Sequence, residues 1–262
     1  MINGKPTHLR SVGNESNPPA IFVHGLGGTG DFWSPLIQST SLQEAYHCHL
    51  FDFEGHGLSP TSPLSKISIA SLANDVKSIY RYLGLTSGAT LFAHSMGCLV
   101  AFEFILNNPT WVNKLVLLGP PPSPLPEAGS KSSHARAELA RNQGMEAVAD
   151  TVATAGTSDK TKCANHLAFT AVKLSLLGQD SEGYAKACTA LAETTNTLDV
   201  SKVKVETYII TGTEDKVSPP QLCQGYKEEM PNVKGLQVLD GIGHWHVFED
   251  LSGVSKAVEQ AL

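Results

Sequence analysis

The chain has 262 residues, of which 41% are hydrophobic and 17% are charged, and its formal net charge at pH 7 is −6. This composition supplies a sizeable core and excludes an intrinsically disordered chain. The acidic balance, with no cluster of Lys and Arg, argues against a nucleic-acid or anionic-membrane partner. The length fits a single α/β domain.

The N-terminal segment and the cysteines indicate in which cellular compartment the protein is expected. Residues 1–19 contain no apolar core of signal-peptide length, and no stretch approaches 18 consecutive apolar residues. The five cysteines are odd in number and lack metal-ligand spacing, which is typical of small buried side chains in a reducing compartment. We therefore expect a cytoplasmic protein that spans no membrane and holds no metal.

Six short apolar runs along the chain predict β-strands. They are continuous rather than alternating, as expected for a sheet covered by helices on both faces. The runs are residues 20–23, 48–53, 90–93, 114–118, 205–211 and 235–239. Helical patterns separate them, so we expect a largely parallel sheet with right-handed crossovers.

Three helical patterns between and after these strands are clear. They cover residues 69–83, 96–106 and 254–261. Ser68 is the predicted N-cap of the first helix and Gly84 its predicted stop. Asn107-Asn108-Pro109 ends the second.

A long helical segment interrupts the alternation after the strand that ends near Gly119. From Lys131 to Thr195 the pattern is helical and contains no strand, which predicts three or four helices inserted between two strands. Ordinary crossover helices are the alternative, but crossovers rarely need so many residues. The predicted organisation is a core of residues 1–124 and 200–262, with residues 125–199 inserted in it.

A sharp turn is predicted at Ala93-His94-Ser95-Met96-Gly97. Ser95 follows a strand and opens a helix, so it lies at the carboxyl edge of the sheet, where α/β proteins bind ligands. A non-glycine residue on such a turn is strained and needs small residues two positions before and after it, as in the Gly-x-Ser-x-Gly elbow. Ser95 is therefore a candidate nucleophile, although serines are also common in turns and caps.

A serine nucleophile needs a base, and the base needs a carboxylate to orient it. His244 is the candidate base because it is the first histidine after the last strand and two glycines, and His246 is its rival. Asp215, which follows the strand at 205–211, is the candidate acid, with Glu214 as the alternative.

Two backbone N–H groups are candidate donors to the oxyanion of a tetrahedral intermediate. The Met96 N–H lies at a helix N-terminus, where orphan N–H groups favour negative charge. The Leu26 N–H follows a glycine turn after the first clear strand, where the chain can pass close to the serine. The glycines around Leu26 lack the spacing of a phosphate or dinucleotide loop, and no metal or organic cofactor is implied.

Five sequence blocks resemble the successive signatures of the α/β-hydrolase family, in the family's order. The blocks are HGLGGTGDFW, DFEGHGLS, AHSMG, TGTEDKVSPP and GIGHWHVFED. This resemblance covers nearly the whole chain and implies an α/β-hydrolase fold, in which a mostly parallel central sheet is flanked by helices. It also implies that the inserted helices are a cap over the active site. Within that cap, residues 143–158 and 181–194 resemble 3-oxoadipate enol-lactonases and related esterases.

The resemblance implies a small-molecule ester or lactone as substrate, cleaved by acyl transfer to water. Position 95 is a serine, whereas the dehalogenases and epoxide hydrolases of the family use an aspartate there. A C–C bond hydrolase of β-diketone type and a non-catalytic receptor built on the same fold remain as alternatives.

An apolar substrate pocket is predicted, and a cation in it would suit an enol-lactone that bears a carboxylate. Besides Leu26, the candidate pocket residues are Phe32, Trp33, Met145, Phe169, Val217 and Trp245. The candidate cations of the cap are Arg136, Arg141 and Lys173, and the sequence does not distinguish among them.

Overall fold

A computed structural model describes residues 1–262 and contains one seven-stranded sheet between layers of helices. The strands are β1 (Leu9–Val12), β2 (Pro19–Val23), β3 (His47–Phe51), β4 (Ala89–His94), β5 (Val112–Leu118), β6 (Glu206–Gly212) and β7 (Val233–Leu239). The helices of the first half are α1 (Ser34–Ser39), α2 (Leu42–Ala45), α3 (Ile69–Tyr82) and α4 (Met96–Asn107). Those of the second half are α5 (Glu127–Gly156), α6 (Asp159–Ala164), α7 (His166–Leu177), α8 (Ser181–Ala192), α9 (Pro220–Glu229), α10 (His246–Glu249) and α11 (Leu251–Ala261). Two short 3-10 helices cover Gly30–Trp33 and Val200–Lys202.

The sheet has the strand order β1-β3-β2-β4-β5-β6-β7. Strand β1 is antiparallel to β3, and every other neighbouring pair is parallel. The predicted mostly parallel sheet flanked by helices is confirmed, and β2 to β7 correspond to the six apolar runs. Strand β1 was not predicted because its sequence, LRSV, has no apolar run and lies half-buried or exposed at the sheet edge.

The continuous apolar runs are explained by two hydrophobic clusters, one on each face of the sheet. Ile21 and Val23 of β2 point into the cluster that contains α3 and α4. Ala20 and Phe22, which alternate with them, point into the cluster that contains α11. Because helices cover both faces of the sheet, the side chains on both sides of the strand are buried. The strand is therefore apolar at every position instead of at every second one.

The three predicted helices are present with nearly the expected bounds. Helix α3 begins with a capping box, in which the Ser68 side chain accepts from the Ser71 N–H and the Ser71 hydroxyl accepts from the Ser68 N–H. Gly84, just after this helix, has a φ of +71°, the left-handed conformation expected of a helix stop.

The segment between β5 and β6 is helical, as predicted, and consists of α5 to α8. Helix α5 is interrupted at Gly144, whose φ of 78° and ψ of 177° are not helical. We call residues 125–199 the helical insertion. The separation of the chain into a core and a cap domain stays a prediction.

The topology brings several loops together at the carboxyl edge of the sheet. After β2 the chain moves to β3 on one side, whereas β4 pairs with β2 on the other side. This reversal of strand order creates a crevice at the ends of β2 and β4, the usual ligand position in open α/β sheets.

Candidate active site

Ser95 occupies the sharp turn between β4 and α4. Its φ of 53° and ψ of −124° are strained for a residue with a side chain. A hydrogen bond of 3.0 Å from the Ser95 N–H to the Leu118 carbonyl ties the turn to β5. A Cβ atom at Gly97 would lie 2.6 Å from the carbonyl oxygen of His24, so only glycine fits there. The turn therefore has the strain and the small neighbour that the sequence predicted.

The structure brings Ser95, His244 and Asp215 into one hydrogen-bonded chain. His244 Nε2 lies 2.7 Å from Ser95 Oγ, and His244 Nδ1 lies 2.9 and 3.0 Å from the two oxygens of Asp215. An ionised carboxylate can only accept, so Nδ1 carries the proton. Nε2 is then free to accept from the serine hydroxyl, which is the arrangement that a general base requires.

Asp215 is buried and is held in its ionised form. The Val217 and Ser218 N–H groups donate to its Oδ1 at 2.9 and 2.8 Å. Burial alone would raise the pKa of Asp215, but the charge and hydrogen bond of His244, with a further contribution from His246, hold this pKa well below its usual value. The carboxylate can therefore stabilise a protonated His244.

Glu214, the alternative acid, faces away from the histidine. Its Oε2 accepts a 2.8 Å hydrogen bond from the Asp159 N–H in the helical insertion, and neither a hydrogen bond nor an ion pair joins it to His244. The Glu214 N–H donates to the Ile242 carbonyl at 2.9 Å, which fixes the turn in this orientation.

His246, the rival base, is fully buried and does not contact the serine. Its Nε2 lies 3.2 Å from Asp215 Oδ2, but neither ring nitrogen makes a hydrogen bond.

His94, which the sequence did not single out, contacts the candidate base through a hydrogen bond. Its Nε2 donates to the His244 carbonyl at 2.9 Å, and burial lowers the pKa of His94 well below 6.5. No sequence signal marked this neutral histidine.

The two predicted oxyanion donors belong to segments next to Ser95, the start of α4 and the loop after β2. Met96 is the first residue of α4, where the helix supplies no acceptor for the N–H. The Leu26 N–H donates to no acceptor within the chain. A Cβ atom at Gly25 would lie 2.8 Å from Ser95 Cβ, so the loop after β2 passes directly beside the serine.

A cavity of about 440 Å³ opens on Ser95 and His244. Most of its remaining lining comes from the helical insertion, above all from α5. The lining residues are Leu26, Ser95, Ser132, Ala135, Arg136, Leu139, Val148, Thr151, Val152, Ala155, Gly156, Tyr184, Leu191, Lys216, Val217, His244 and Trp245. The insertion therefore covers the site, and the volume suits a small molecule.

The predicted pocket residues divide into two groups. Val217, Trp245 and Leu26 line the cavity, whereas Phe32, Trp33, Met145 and Phe169 do not, so the prediction for these four was wrong. Phe32 and Trp33 are buried in an aromatic cluster behind the site, where Phe32 stacks on His94 at 4.5 Å. Met145 is buried in the same core and Phe169 packs against it. Apolar character alone does not show whether a side chain faces a cavity or the core.

The three cations of the insertion are also distinguished by the structure. Arg141 is paired with Glu182 at 2.9 Å and Lys173 with Asp150 at 2.7 Å. Arg136 lines the cavity and pairs with no carboxylate.

No group of three or more His, Cys, Asp or Glu side chains is arranged to hold a metal ion. None of the helices is long and apolar enough to cross a membrane.

Comparison with known families agrees with the fold. A family model described as alpha/beta hydrolase fold matches residues 18–251, and the chain belongs to this family. The sequence is 28% identical over 213 residues to 3-oxoadipate enol-lactonase 2 of Acinetobacter baylyi, covering 79% of this chain and 75% of that protein. It is 26% identical to 3-oxoadipate enol-lactonase 1 of the same organism, covering 82% and 78%.

Solved structures give the same answer. A thermophilic esterase from Thermogutta terrifontis superposes with a TM-score of 0.89 at 21% identity, covering 99% of this chain and 95% of that chain. The enol-lactonase from Burkholderia xenovorans superposes with a TM-score of 0.85 at 22% identity, covering 99% and 97%. The predicted α/β-hydrolase fold is confirmed.

Proposed function

We propose that this protein hydrolyses a small carboxylic ester or lactone through a covalent acyl-enzyme on Ser95. The observation that carries the proposal is the 2.7 Å contact between Ser95 Oγ and His244 Nε2, at the lining of a covered cavity. A serine hydroxyl is a weak nucleophile unless a base takes its proton. Here the base is oriented by a buried, ionised Asp215.

In the first step, Ser95 Oγ attacks the substrate carbonyl while its proton moves to His244 Nε2. The developing oxyanion is stabilised by the N–H groups of Leu26 and Met96, which are preorganised and cost little rearrangement. Asp215 stabilises the imidazolium that forms. The carbonyl then reforms, and the alcohol or enol leaves with the proton from His244.

In the second step, water replaces the leaving group. His244 takes a proton from this water, the resulting hydroxide attacks the acyl carbonyl, and Ser95 leaves as the alcohol with that proton. The same two N–H groups hold the second oxyanion. Both reaction steps use only water and groups of the chain, so the proposed reaction needs no metal or organic cofactor.

The substrate class is supported by the relatives and by the insertion. Two related proteins are 3-oxoadipate enol-lactonases, and residues 143–158 and 181–194 of the insertion resemble that group. Enol-lactones are reactive cyclic esters, which suit an acyl-enzyme mechanism in a small cavity. We therefore propose 3-oxoadipate enol-lactone as the first candidate substrate.

The proposal is tested by hydrolysis of a panel with wild type, Ser95→Ala and Ser78→Ala. The panel contains nitrophenyl esters of short and long acids, several lactones that include the enol-lactone, and a vinylogous diketone. Ser78 lies on α3 and hydrogen-bonds to the Asn74 carbonyl, so its variant controls for loss of a serine elsewhere. We expect Ser95→Ala to reduce kcat by about 10³-fold or more, with Ser78→Ala unchanged.

The preferred substrate distinguishes the alternatives. Turnover of the diketone but of no ester would indicate a C–C bond hydrolase with the same triad. Ester hydrolysis that survives in Ser95→Ala would contradict the assignment of the nucleophile. A wild type that binds substrates of the panel but turns none over would favour a non-catalytic receptor.

A further inference from the structure

Arg136 places an unpaired cation beside the proposed nucleophile. It lies on α5 and lines the same cavity as Ser95 and His244. Its Nε atom is fully buried and has no hydrogen-bond partner. Its Nη2 makes one long hydrogen bond, 3.5 Å to Ser133 Oγ, and the guanidinium also lies beside the Cys188 thiol, but it forms no ion pair. A partly buried cation without an anionic partner is costly, so it usually marks a site where an anion binds.

The groups around the guanidinium do not neutralise it. Tyr184 and Cys188 are the titratable groups that act on it. Burial raises the pKa of Tyr184 above its usual value. Burial also raises the pKa of Cys188, although Arg136 opposes this rise. Both groups are therefore neutral near pH 7, and the positive charge of Arg136 is not balanced from within the protein.

The rest of the cavity has the same sign of charge. No Asp or Glu side chain lines it, whereas Lys216, an exposed residue without an ion pair, contributes a second cation. This is a local reversal, because the whole chain carries a net charge of −6. A cavity lined by one sign of charge attracts ligands of the opposite sign.

We propose that Arg136 binds a carboxylate on the substrate, so that the substrate class is an ester or lactone that carries a free carboxylate. The planar guanidinium offers two parallel N–H groups that match the two oxygens of a carboxylate. This inference rests on the proposed function, since the same cavity must hold the scissile carbonyl at Ser95. It adds that charge, as well as shape, selects the substrate.

Two esters with the same six-carbon acyl chain test the inference. One is 4-nitrophenyl hexanoate, and the other is 4-nitrophenyl hydrogen adipate, which ends in a carboxylate instead of a methyl group. We expect wild type to prefer the charged ester. Arg136→Met should lower kcat/KM for the charged ester by about 10- to 100-fold, mainly through KM, and should change kcat/KM for the neutral ester by less than about 3-fold. Arg136→Lys should retain part of the preference, because lysine keeps the positive charge but lacks the two parallel N–H groups of the guanidinium.

Arg141→Met is the matched control. Arg141 belongs to the same helix but is paired with Glu182 and does not line the cavity, so its loss should affect both esters equally. Thermal unfolding of Arg136→Met and Arg136→Lys separates a folding defect from a binding defect. Calorimetric titration of the adipate dianion and of hexanoate into Ser95→Ala, with and without Arg136→Met, measures the same preference without turnover.

The outcomes separate this inference from the proposed function. If neither ester is hydrolysed but adipate binds in an Arg136-dependent way, the carboxylate site stands and the hydrolase proposal fails. If esters are hydrolysed but Arg136→Met changes neither the charge preference nor adipate binding, the carboxylate site is overturned and the hydrolase proposal stands. An adipate affinity independent of Arg136 overturns the inference whatever the esters do.

Discussion

The backbone N–H of His244 donates a 2.7 Å hydrogen bond to the carbonyl oxygen of Gly156. Gly156 is the last residue of α5 in the helical insertion, whereas His244 follows β7 of the sheet. A Cβ atom at Gly156 would lie 2.9 Å from the Trp245 indole nitrogen, so this close approach requires glycine. The insertion therefore holds the proposed base in place as well as covering the cavity.

Glu249 joins the same two parts of the chain. Its buried carboxylate accepts from the Ser158 N–H and the Thr161 hydroxyl of the insertion, both at 2.8 Å. It also accepts from the Gly243 N–H at 3.2 Å and the Trp245 N–H at 3.0 Å, on either side of His244. Four donors thus converge on one side chain, which fixes the histidine loop against the insertion.

We predict that Glu249→Gln loosens this loop. An amide offers only one oxygen and turns an NH₂ group toward a backbone N–H, so at least one buried donor loses its acceptor. The free energy of unfolding should fall by about 2–3 kcal/mol, and kcat/KM should fall at least about 10-fold because the base is misplaced. Urea unfolding and ester hydrolysis measure the two effects.

Glu214→Gln is the control for this change. Glu214 also joins the sheet to the insertion, but it is only partly buried and accepts a single hydrogen bond, from the Asp159 N–H. Its effect on the free energy of unfolding should stay below about 1 kcal/mol. A folded Glu249→Gln protein with wild-type kcat/KM would contradict the positioning role.

The choice between the two histidines is tested by the same substitution at each. His244→Gln should reduce kcat by about 10³-fold or more, since it removes the group that accepts the Ser95 proton. His246→Gln should cost less than about 30-fold, because His246 lies beside Asp215 but does not contact Ser95. Thermal unfolding of both variants accounts for any loss of folded protein. A larger loss at His246 than at His244 would reverse the assignment.

The features that the sequence predicts correctly are those that depend on a single local requirement. The covered strands needed apolar residues on both faces, and the turn at Ser95 needed a glycine at position 97, whose added Cβ would meet the His24 carbonyl. Such constraints act on a few neighbouring residues and are visible without the fold.

The rest depends on contacts between distant segments. Asp215 and Glu214 are adjacent, and the hydrogen bond from the Glu214 N–H to the Ile242 carbonyl decides which of them faces the histidine. Phe32 and Val217 are both apolar, but Phe32 faces the core and Val217 faces the cavity. Apolar character alone does not distinguish the two positions. The Glu249 network joins residues up to 91 positions apart, so no local pattern could indicate it.

The contact between the insertion and the core also depends on a pair of glycines. A Cβ atom at Gly183 of α8 would lie 2.2 Å from the Gly55 carbonyl oxygen, in the loop after β3. We predict that Gly183→Ala lowers the free energy of unfolding by about 2–4 kcal/mol, because the backbones at Gly183 and Gly55 must move apart.

Gly225→Ala on α9 is the matched control, since nothing lies within 4 Å of its added Cβ. That change should stabilise by about 0.5–1 kcal/mol through helix propensity. Urea unfolding measures both, and equal effects of the two would contradict the packing argument.

Two buried histidines, His24 and His56, predict that mild acid destabilises the protein. His24 Nε2 accepts from the Phe53 N–H at 2.9 Å, so this ring must be neutral. Burial lowers the pKa of His24 to about 4, and burial together with the nearby His24 lowers the pKa of His56 to about 3. In the unfolded chain both rings bind protons below about pH 6.5. The unfolded state therefore gains protons that the folded state does not bind.

It follows that the free energy of unfolding is fully retained above pH 6.5 and decreases as the pH falls toward 4. One such histidine accounts for about 2 kcal/mol between pH 7 and pH 5. His56 is the better probe, because its ring makes only one long hydrogen bond, 3.4 Å to the Glu54 carbonyl oxygen. We predict that His56→Gln loses about 2 kcal/mol less than wild type over this range, measured by urea unfolding at pH 7, 6 and 5. His134→Gln, which removes an exposed histidine of α5, should keep the wild-type dependence. If His56→Gln and wild type lose the same free energy, His56 does not titrate on unfolding in this range.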